Sequence, residues 1–91
     1  DTFLAYVTKY ALTKGILEMQ VEGCSPTSPG MVRSRLNGAH FYFHREGRAW
    51  HRTLEGAQGR AKDMRIRKIA ALRHQIQSLE LLTFDAPVKV E

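Results

Sequence analysis

The stretch that decides the fold runs from Trp50 to Phe84 and reads WHRTLEGAQGRAKDMRIRKIAALRHQIQSLELLTF. It contains no proline, and its apolar residues recur at intervals of three and four, which is typical of one long helix. Thr53 is placed to cap this helix, and Glu55 follows where the positive end of the helix dipole favours an acid. The sequence therefore predicts a helix that continues to about Leu82 and spans roughly 45 Å.

The apolar stripe changes side halfway along this helix. Its first half consists of small or flexible residues spaced three, four and three apart: Leu54, Ala57, Ala61 and Met64. Its second half repeats that spacing with larger residues: Ile69, Leu72, Ile76 and Leu79. The step of five between the two sets rotates the stripe around the helix. We expect the first half to cover a sheet, and the second half either to fold against the N-terminal strands or to pair with a second copy.

The part of the chain before the helix is predicted to form strands. Residues 3–10 are aromatic and β-branched, which favours a central strand, and residues 16–22 alternate between apolar and polar side chains. We expect these two segments to pair as an antiparallel hairpin across a loop at residues 11–15. Residues 23–30 are rich in proline and glycine and are predicted to form a surface loop.

A second hairpin is predicted at Asn37-Gly38, because both residues of such a turn tolerate positive φ. It joins strands at residues 31–36 and 39–44, in which Phe41 and Phe43 are the expected core residues. Trp50 is predicted to anchor the start of the helix. The fold class is therefore α+β, with a small antiparallel sheet of three to four strands followed by one long C-terminal helix. We interpret residues 1–91 as one domain, with a β-rich part at 1–48, the helix at 50–84 and a tail at 85–91.

The size and composition of the chain narrow its class. Its 91 residues suit one small domain, and an apolar fraction of 43% favours a folded globule. The single cysteine, Cys24, has no partner for an internal disulfide, so a cytoplasmic location is expected. No apolar run approaches the roughly eighteen residues of a membrane-spanning helix. We therefore expect no membrane contact.

Positive charge is concentrated in the middle of the chain. Residues 31–75 contain eleven Lys or Arg and three Asp or Glu, an excess of eight, whereas the whole chain carries a formal charge of +5. Nine of those eleven residues are arginines, whose planar guanidinium suits bidentate contact with phosphate or carboxylate. This distribution indicates an anionic partner, with ordinary surface solvation as the alternative.

Catalytic and metal-binding patterns are absent from the sequence. The histidines His40, His44 and His51 lack the spacing of zinc sites, and Cys24 has no activating histidine near it in the sequence. The few central acids do not form a catalytic pair. We therefore expect a protein that is not an enzyme and has no catalytic residues, no metal site and no cofactor.

Two segments resemble those of short uncharacterised proteins from phages and prophages. They read YVTKYALTKGI at residues 6–16 and MRIRKIAAL at residues 64–72, the second continuing to Phe84, with Trp50 and Thr53 before the helix. The resemblance covers most of the chain, and its motifs are structural. It implies a small stand-alone α+β protein of mobile-element origin and assigns no activity and no catalytic residue.

Two classes of function remain open. The first is a binder of nucleic acid or another polyanion that contacts the backbone rather than the bases. Its predicted contacts are the basic residues Arg33, Arg35, Arg60, Arg65, Arg67, Lys68 and Arg73. Arg33 and Arg35 alternate along their strand and share one sheet face, where His40, Tyr42 and His44 add stacking surface.

The second class is a protein-interaction module that modulates a host protein or complex. It acts either through the basic face on an acidic protein surface or through the apolar half of the helix. The predicted partner contacts are Ile69, Leu72, Ile76 and Leu79, and the same residues are the predicted contacts of a homodimer.

Overall fold

The computed structural model describes residues 2–23, 30–36 and 38–91. Its elements in chain order are β1 (Thr2–Val7), α1 (Ala11–Lys14), β2 (Leu17–Gly23), β3 (Val32–Leu36), β4 (Ala39–Phe43), β5 (Trp50–His51) and α2 (Leu54–Glu80). The strands form one antiparallel sheet in the order β4-β3-β2-β1-β5, which curves into a half-barrel. The predicted α+β fold is confirmed, with five strands rather than three to four.

The predicted first hairpin is formed by β1 and β2, with Phe3 opposite Val21 and Val7 opposite Leu17. β1 lies between β2 and β5 and is therefore internal in the sheet, as predicted. The strand ends at Val7 rather than at residue 10, and residues 11–14 form a single helical turn where a loop was predicted. Ala11 and Lys14 favour a helical backbone, and Gly15 ends the turn with a φ of 83°.

The second hairpin is formed by β3 and β4, with Val32 opposite Phe43. Residues 24–29 of the predicted loop and Asn37 of the predicted turn lie outside the described residues. Phe43 is buried, whereas Phe41 is half exposed and lines an apolar groove of about 480 Å³. Phe43 is opposite Val32, at the end of β3 that pairs with β2, whereas Phe41 is opposite Ser34, closer to the hairpin turn and beyond that pairing.

The core is centred on Trp50, which is 1% exposed. Its ring centroid lies 5.9 Å from that of Phe3, and its indole N–H donates to the carbonyl of Gly30 at 2.8 Å. Trp50 is opposite Val7 in the β1–β5 pairing. The sequence indicated Trp50 as an anchor but not the strand that carries it, because a strand of two residues is too short to show an alternating pattern.

α2 begins at Leu54 and is capped by Thr53, whose hydroxyl accepts a hydrogen bond from the Gly56 N–H at 3.1 Å. The helix ends at Glu80, rather than at Leu82. Both the N-cap and the long uninterrupted helix agree with the sequence pattern. Residues 81–91 contain no helix or strand.

Only the first half of α2 contacts the rest of the protein. Ala57 is buried, Ala61 and Met64 are partly buried, and every residue from Arg65 onward is exposed. The radius of gyration is 19.7 Å, against about 12 Å for a compact domain of this length. The second half therefore does not fold against the N-terminal strands, and it extends from the sheet as an exposed helix.

Candidate nucleic-acid interface

One basic surface lies on the β3–β4 hairpin, and we call it the sheet patch: Arg33, Arg35, His40 and Tyr42. Arg33 is opposite Tyr42 and Arg35 is opposite His40, so all four side chains share one face of the sheet, as the alternation predicted. The guanidinium of Arg35 lies 3.4 Å from the His40 ring nitrogen Nε2. The patch therefore places cationic and aromatic side chains next to one another on an exposed surface.

Arg33 also contacts an acid on the neighbouring strand. Glu22 of β2 is opposite Arg33, and Arg33 Nε donates to Glu22 Oε1 at 2.8 Å. A second bond joins Arg33 Nη2 to the same oxygen. The hydrogen bond from Arg33 lowers the pKa of the Glu22 carboxyl, and it raises the pKa of Arg33. Glu22 therefore offsets the charge of Arg33, and Arg35 is the more available cation of the patch.

The predicted basic residues of α2 do not form a single face. Arg60 and Arg67 are seven residues apart, which places them on one side of the helix. Arg73 is six residues beyond Arg67 and therefore lies on a different side. Helical spacing thus separates Arg73 from the other two.

The remaining two helix cations lie near apolar positions. Arg65 is four residues before Ile69 and borders the apolar stripe of the second half. Lys68 is four residues after Met64 and lies on the side that faces the sheet further back along the helix. Both side chains are exposed, because α2 has already left the sheet at this level.

Few of these cations are neutralised within the protein. Two ion pairs occur among the residues that the structure describes, Arg33 with Glu22 and Arg52 with Glu46. Of the seven predicted contact residues, only Arg33 belongs to one of them. The other six retain their charge for an external anion.

A second cluster, which the sequence did not predict, surrounds a cavity of about 270 Å³ between α2 and the β4–β5 turn. We call it the basic pocket and define it by its five basic side chains: Lys9, His44, Arg45, Arg48 and Arg60. The other lining residues are neutral, and no acid is among them. Arg60 is the one residue that this pocket shares with the predicted contacts.

The β4–β5 turn that carries Arg45 and Arg48 is held by a dense set of hydrogen bonds. The N–H groups of Arg48 and Ala49 both donate to the Arg45 carbonyl, at 3.0 and 3.1 Å. Thr8, which is fully buried, donates its hydroxyl to the Arg48 carbonyl at 2.5 Å and its N–H to the Ala49 carbonyl at 2.9 Å. The two hydrogen bonds from Thr8 hold the turn against the end of β1.

Arg45 has an unusual backbone conformation. Its φ is 68°, and within residues 2–23, 30–36 and 38–91 it is the one residue other than glycine with a positive φ. An arginine in this region costs about 1–3 kcal/mol, and such strain concentrates at functional sites. The bonds that fix the turn therefore hold a conformation that Arg45 would not adopt by itself.

Arg60 also lines this pocket and carries a buried polar atom. It follows the buried Ala57 by three residues, so its side chain starts on the covered side of α2. Its Nε is buried and has no hydrogen-bond partner among the described residues. A buried donor without an acceptor costs about 1–3 kcal/mol.

His51 lies next to this pocket and is buried. Its Nε2 is 3.1 Å from Thr8 Oγ1, and because that hydroxyl donates to the Arg48 carbonyl, Nε2 carries the proton and donates to it. Burial lowers the pKa of His51 below its ordinary value of 6.5, and the nearby charge of Arg60 lowers it further. A hydrogen bond to the Arg48 carbonyl and the charge of Glu46 raise the pKa, but burial has the largest effect. His51 is therefore neutral in the folded protein at neutral pH.

This lowered pKa gives stability a dependence on pH. Below pH 6.5 the unfolded chain protonates His51 before the folded chain does, so the folded state binds fewer protons and loses stability as the pH falls. We expect the free energy of unfolding, measured by urea titration, to fall between pH 7 and about pH 5.5. The variant His51→Gln should flatten this fall, whereas His74→Gln, at an exposed helix position, should keep it. Equal slopes in wild type and His51→Gln would contradict the assignment.

The sequence offered only part of the signal for the basic pocket. Arg45 and Arg48 flank the Glu46-Gly47 turn, which is visible in the sequence. Their proximity to Lys9 depends on the short β1–β5 pairing, because Tyr6 and Val7 align with His51 and Trp50 and bring the end of β1 to the turn. No local pattern predicts a pairing of two residues across more than forty positions.

Within the described part of the chain, no helix combines the length and hydrophobicity needed to cross a membrane. In the same residues, no group of three or more His, Cys, Asp or Glu side chains is arranged to hold a metal ion. Comparisons with models of protein families, with curated proteins and with solved structures found no match to this chain. The candidate interface is therefore supported by its own geometry and charge.

Proposed function

We propose that this protein is a small non-enzymatic binder of nucleic acid, or of another polyanion, from a phage or prophage. The main support is that six of the seven predicted contact residues have no acidic partner among the described side chains. Because these residues come from different faces, the contact is with the repeated phosphates of a backbone rather than with one sequence of bases. His40 and Tyr42 in the sheet patch offer surfaces on which unpaired bases stack.

The two basic surfaces are connected along the chain and along the helix. Tyr42 belongs to the sheet patch, and His44, two residues later, lines the basic pocket. On the other side of the pocket, Arg60 and Arg67 continue along one side of α2, with a rise of about 10 Å between them. A flexible single strand can follow such a path, because its backbone is not fixed in a helix.

The test is the salt dependence of binding to a labelled single-stranded oligonucleotide of mixed sequence, measured by fluorescence anisotropy between 50 and about 200 mM salt. We expect log affinity to fall linearly with log salt, by a slope of about 0.7 for each phosphate neutralised. Arg35→Gln and Arg67→Gln should each reduce that slope by about one phosphate contact. Lys89→Gln, in the tail, is the matched control and should leave it unchanged. Absent or salt-independent binding would contradict the proposal.

A second candidate function, a protein-interaction module that modulates a host protein or complex, is favoured by the exposed half of α2. Its apolar stripe consists of four residues that are 42–68% exposed: Ile69, Leu72, Ile76 and Leu79. Scattered apolar side chains are common on protein surfaces, whereas a stripe with regular spacing is typical of a helix contact. The stripe suits a helix of a host protein or of a second copy of this chain, and we propose the second copy as its occupant, because the charges that border the stripe fit it.

Charge supports a second copy in antiparallel orientation. The basic surfaces lie in the sheet and at the sheet end of α2, so a parallel pair would bring two strongly positive bodies together. An antiparallel pair places these bodies at opposite ends of the contact. Arg73 and Glu80 are seven residues apart and border the stripe on the same side, which offers opposite charges to the partner helix. The test is the oligomeric state of the protein and of a variant with an acid in the stripe.

A further inference from the structure

We propose that the basic pocket binds a single phosphoryl group, either one phosphate of a nucleic-acid backbone or free phosphate. This inference deepens the proposed polyanion binding, because it names the place where one phosphate is held by several side chains at once. It differs from the predicted contacts on the sheet patch and on the outer side of α2. Those contacts are spread over separate surfaces, whereas the pocket brings five basic side chains around one cavity.

The charge of the pocket is the first argument. Four permanent cations line it from three parts of the chain: Lys9 after β1, Arg45 and Arg48 in the β4–β5 turn, and Arg60 in α2. The acid in that turn, Glu46, accepts a hydrogen bond from Arg52 at 2.9 Å and does not line the cavity. Like charges around one cavity repel each other, and the attraction of each of them to a bound anion offsets that repulsion.

The geometry of the donors selects the class of anion. A carboxylate is planar and is satisfied by one guanidinium in a bidentate pair. A phosphoryl group has tetrahedral oxygens, which suit donors that approach from several directions, as the side chains from α2, the turn and the end of β1 do. Arg60 is the donor that α2 supplies.

The backbone of the turn is the second, independent argument. Arg45 is held at a φ of 68°, which is a conformation that glycine adopts readily and arginine does not. The hydrogen bonds to Thr8 fix the turn beside the pocket. A contribution of the Arg45 guanidinium to phosphate binding would explain why an arginine occupies this strained position.

This strain provides a variant that separates binding from folding. Arg45→Gly removes one cation and also relieves the backbone, so its melting temperature in phosphate-free buffer should equal or exceed that of the wild type. Arg48→Gln is the second pocket variant, which removes a charge without changing the backbone. Lys62→Gln is the matched control, because Lys62 is exposed on α2, is not one of the predicted contacts and does not line the pocket.

The experiment titrates inorganic phosphate into the full chain by calorimetry, with chloride at matched ionic strength as the reference. We expect saturable binding to wild type and to Lys62→Gln, and affinity at least about tenfold weaker in Arg45→Gly and Arg48→Gln, since each loses hydrogen bonds to a charged group. No phosphate binding by the wild type, undiminished binding by Arg45→Gly, or an equal loss in Lys62→Gln would overturn the proposal.

A parallel titration with the single-stranded oligonucleotide identifies the source of the phosphate. If Arg45→Gly also weakens oligonucleotide binding, the pocket holds a backbone phosphate. If only inorganic phosphate binding falls, the pocket is a site for free phosphate. Phosphate binding by a protein that does not bind the oligonucleotide would leave the pocket established and the proposed nucleic-acid function refuted, so the two failures are distinguishable.

Discussion

Replacing Trp50 by alanine is expected to lower the free energy of unfolding by about 3–5 kcal/mol, the range for deleting a fully buried aromatic side chain. Trp50 is the largest side chain in a core whose other buried apolar residues are mainly valine and alanine. It contacts Phe3, and its indole N–H satisfies the Gly30 carbonyl. The total free energy of unfolding of a small domain is about 5–15 kcal/mol, so the variant should be partly or wholly unfolded at 37 °C.

Urea titration followed by far-ultraviolet circular dichroism measures this loss, because the chain has one tryptophan and the variant therefore has no tryptophan fluorescence. Trp50→Phe should lose less stability than Trp50→Ala, since phenylalanine keeps an aromatic ring in the core. It removes the hydrogen bond to Gly30 and only part of the side-chain volume. Phe84→Ala is the matched control, because Phe84 is 86% exposed, and it should change stability by less than about 0.5 kcal/mol. A loss at Trp50 as small as that at Phe84 would show that Trp50 does not hold the core together.

The elements that the sequence predicted well are those whose signal is local and repeated. α2 combines a Thr53 cap, the absence of proline and a regular apolar spacing, so both its existence and its start could be read directly. β2 shows strict alternation, and the structure places Leu17, Met19 and Val21 together against the core. In both cases the pattern follows from the period of the backbone itself.

The features that the sequence did not reveal depend on contacts between distant residues. β5 has two residues and is defined only by its pairing with β1. The basic pocket depends on that pairing in turn, since it brings Lys9 beside Arg48. The sequence showed that the apolar stripe changes side along the helix. Whether the second half of the helix packs against the sheet of the same chain depended on the size and curvature of that sheet.

The same division gives the protein two parts with different chemistry. The curved sheet and the first half of α2 hold the core, the sheet patch and the basic pocket. The second half of α2 is exposed along its length and carries the apolar stripe. The stripe residues differ from the cations of the sheet patch and the basic pocket, so a change in the stripe is expected to leave phosphate binding in the pocket intact. Arg73 is assigned to both kinds of contact, because it borders the stripe and is one of the predicted anion contacts.

Replacing Ile76 by glutamate is expected to abolish the proposed antiparallel dimer and leave a monomer. Ile76 lies in the middle of the stripe and is 54% exposed in the single chain, so the substitution should change the stability of the monomer by less than about 0.5 kcal/mol. In a two-fold dimer the substitution occurs twice, and each copy places a carboxylate in an apolar contact. Dimer affinity should therefore fall by about a hundredfold or more. Sedimentation equilibrium across a range of protein concentrations measures it.

Gln77→Glu is the matched control, because it adds the same charge to the same turn of α2 but on a side away from the stripe. It should dimerise as the wild type does. A wild type that stays monomeric at every concentration, or an Ile76→Glu protein that still dimerises, would contradict self-association through this stripe. Salt then separates the two proposed functions: apolar helix pairing should persist or strengthen at high salt, whereas oligonucleotide binding should weaken steeply, because only the second depends on releasing counterions.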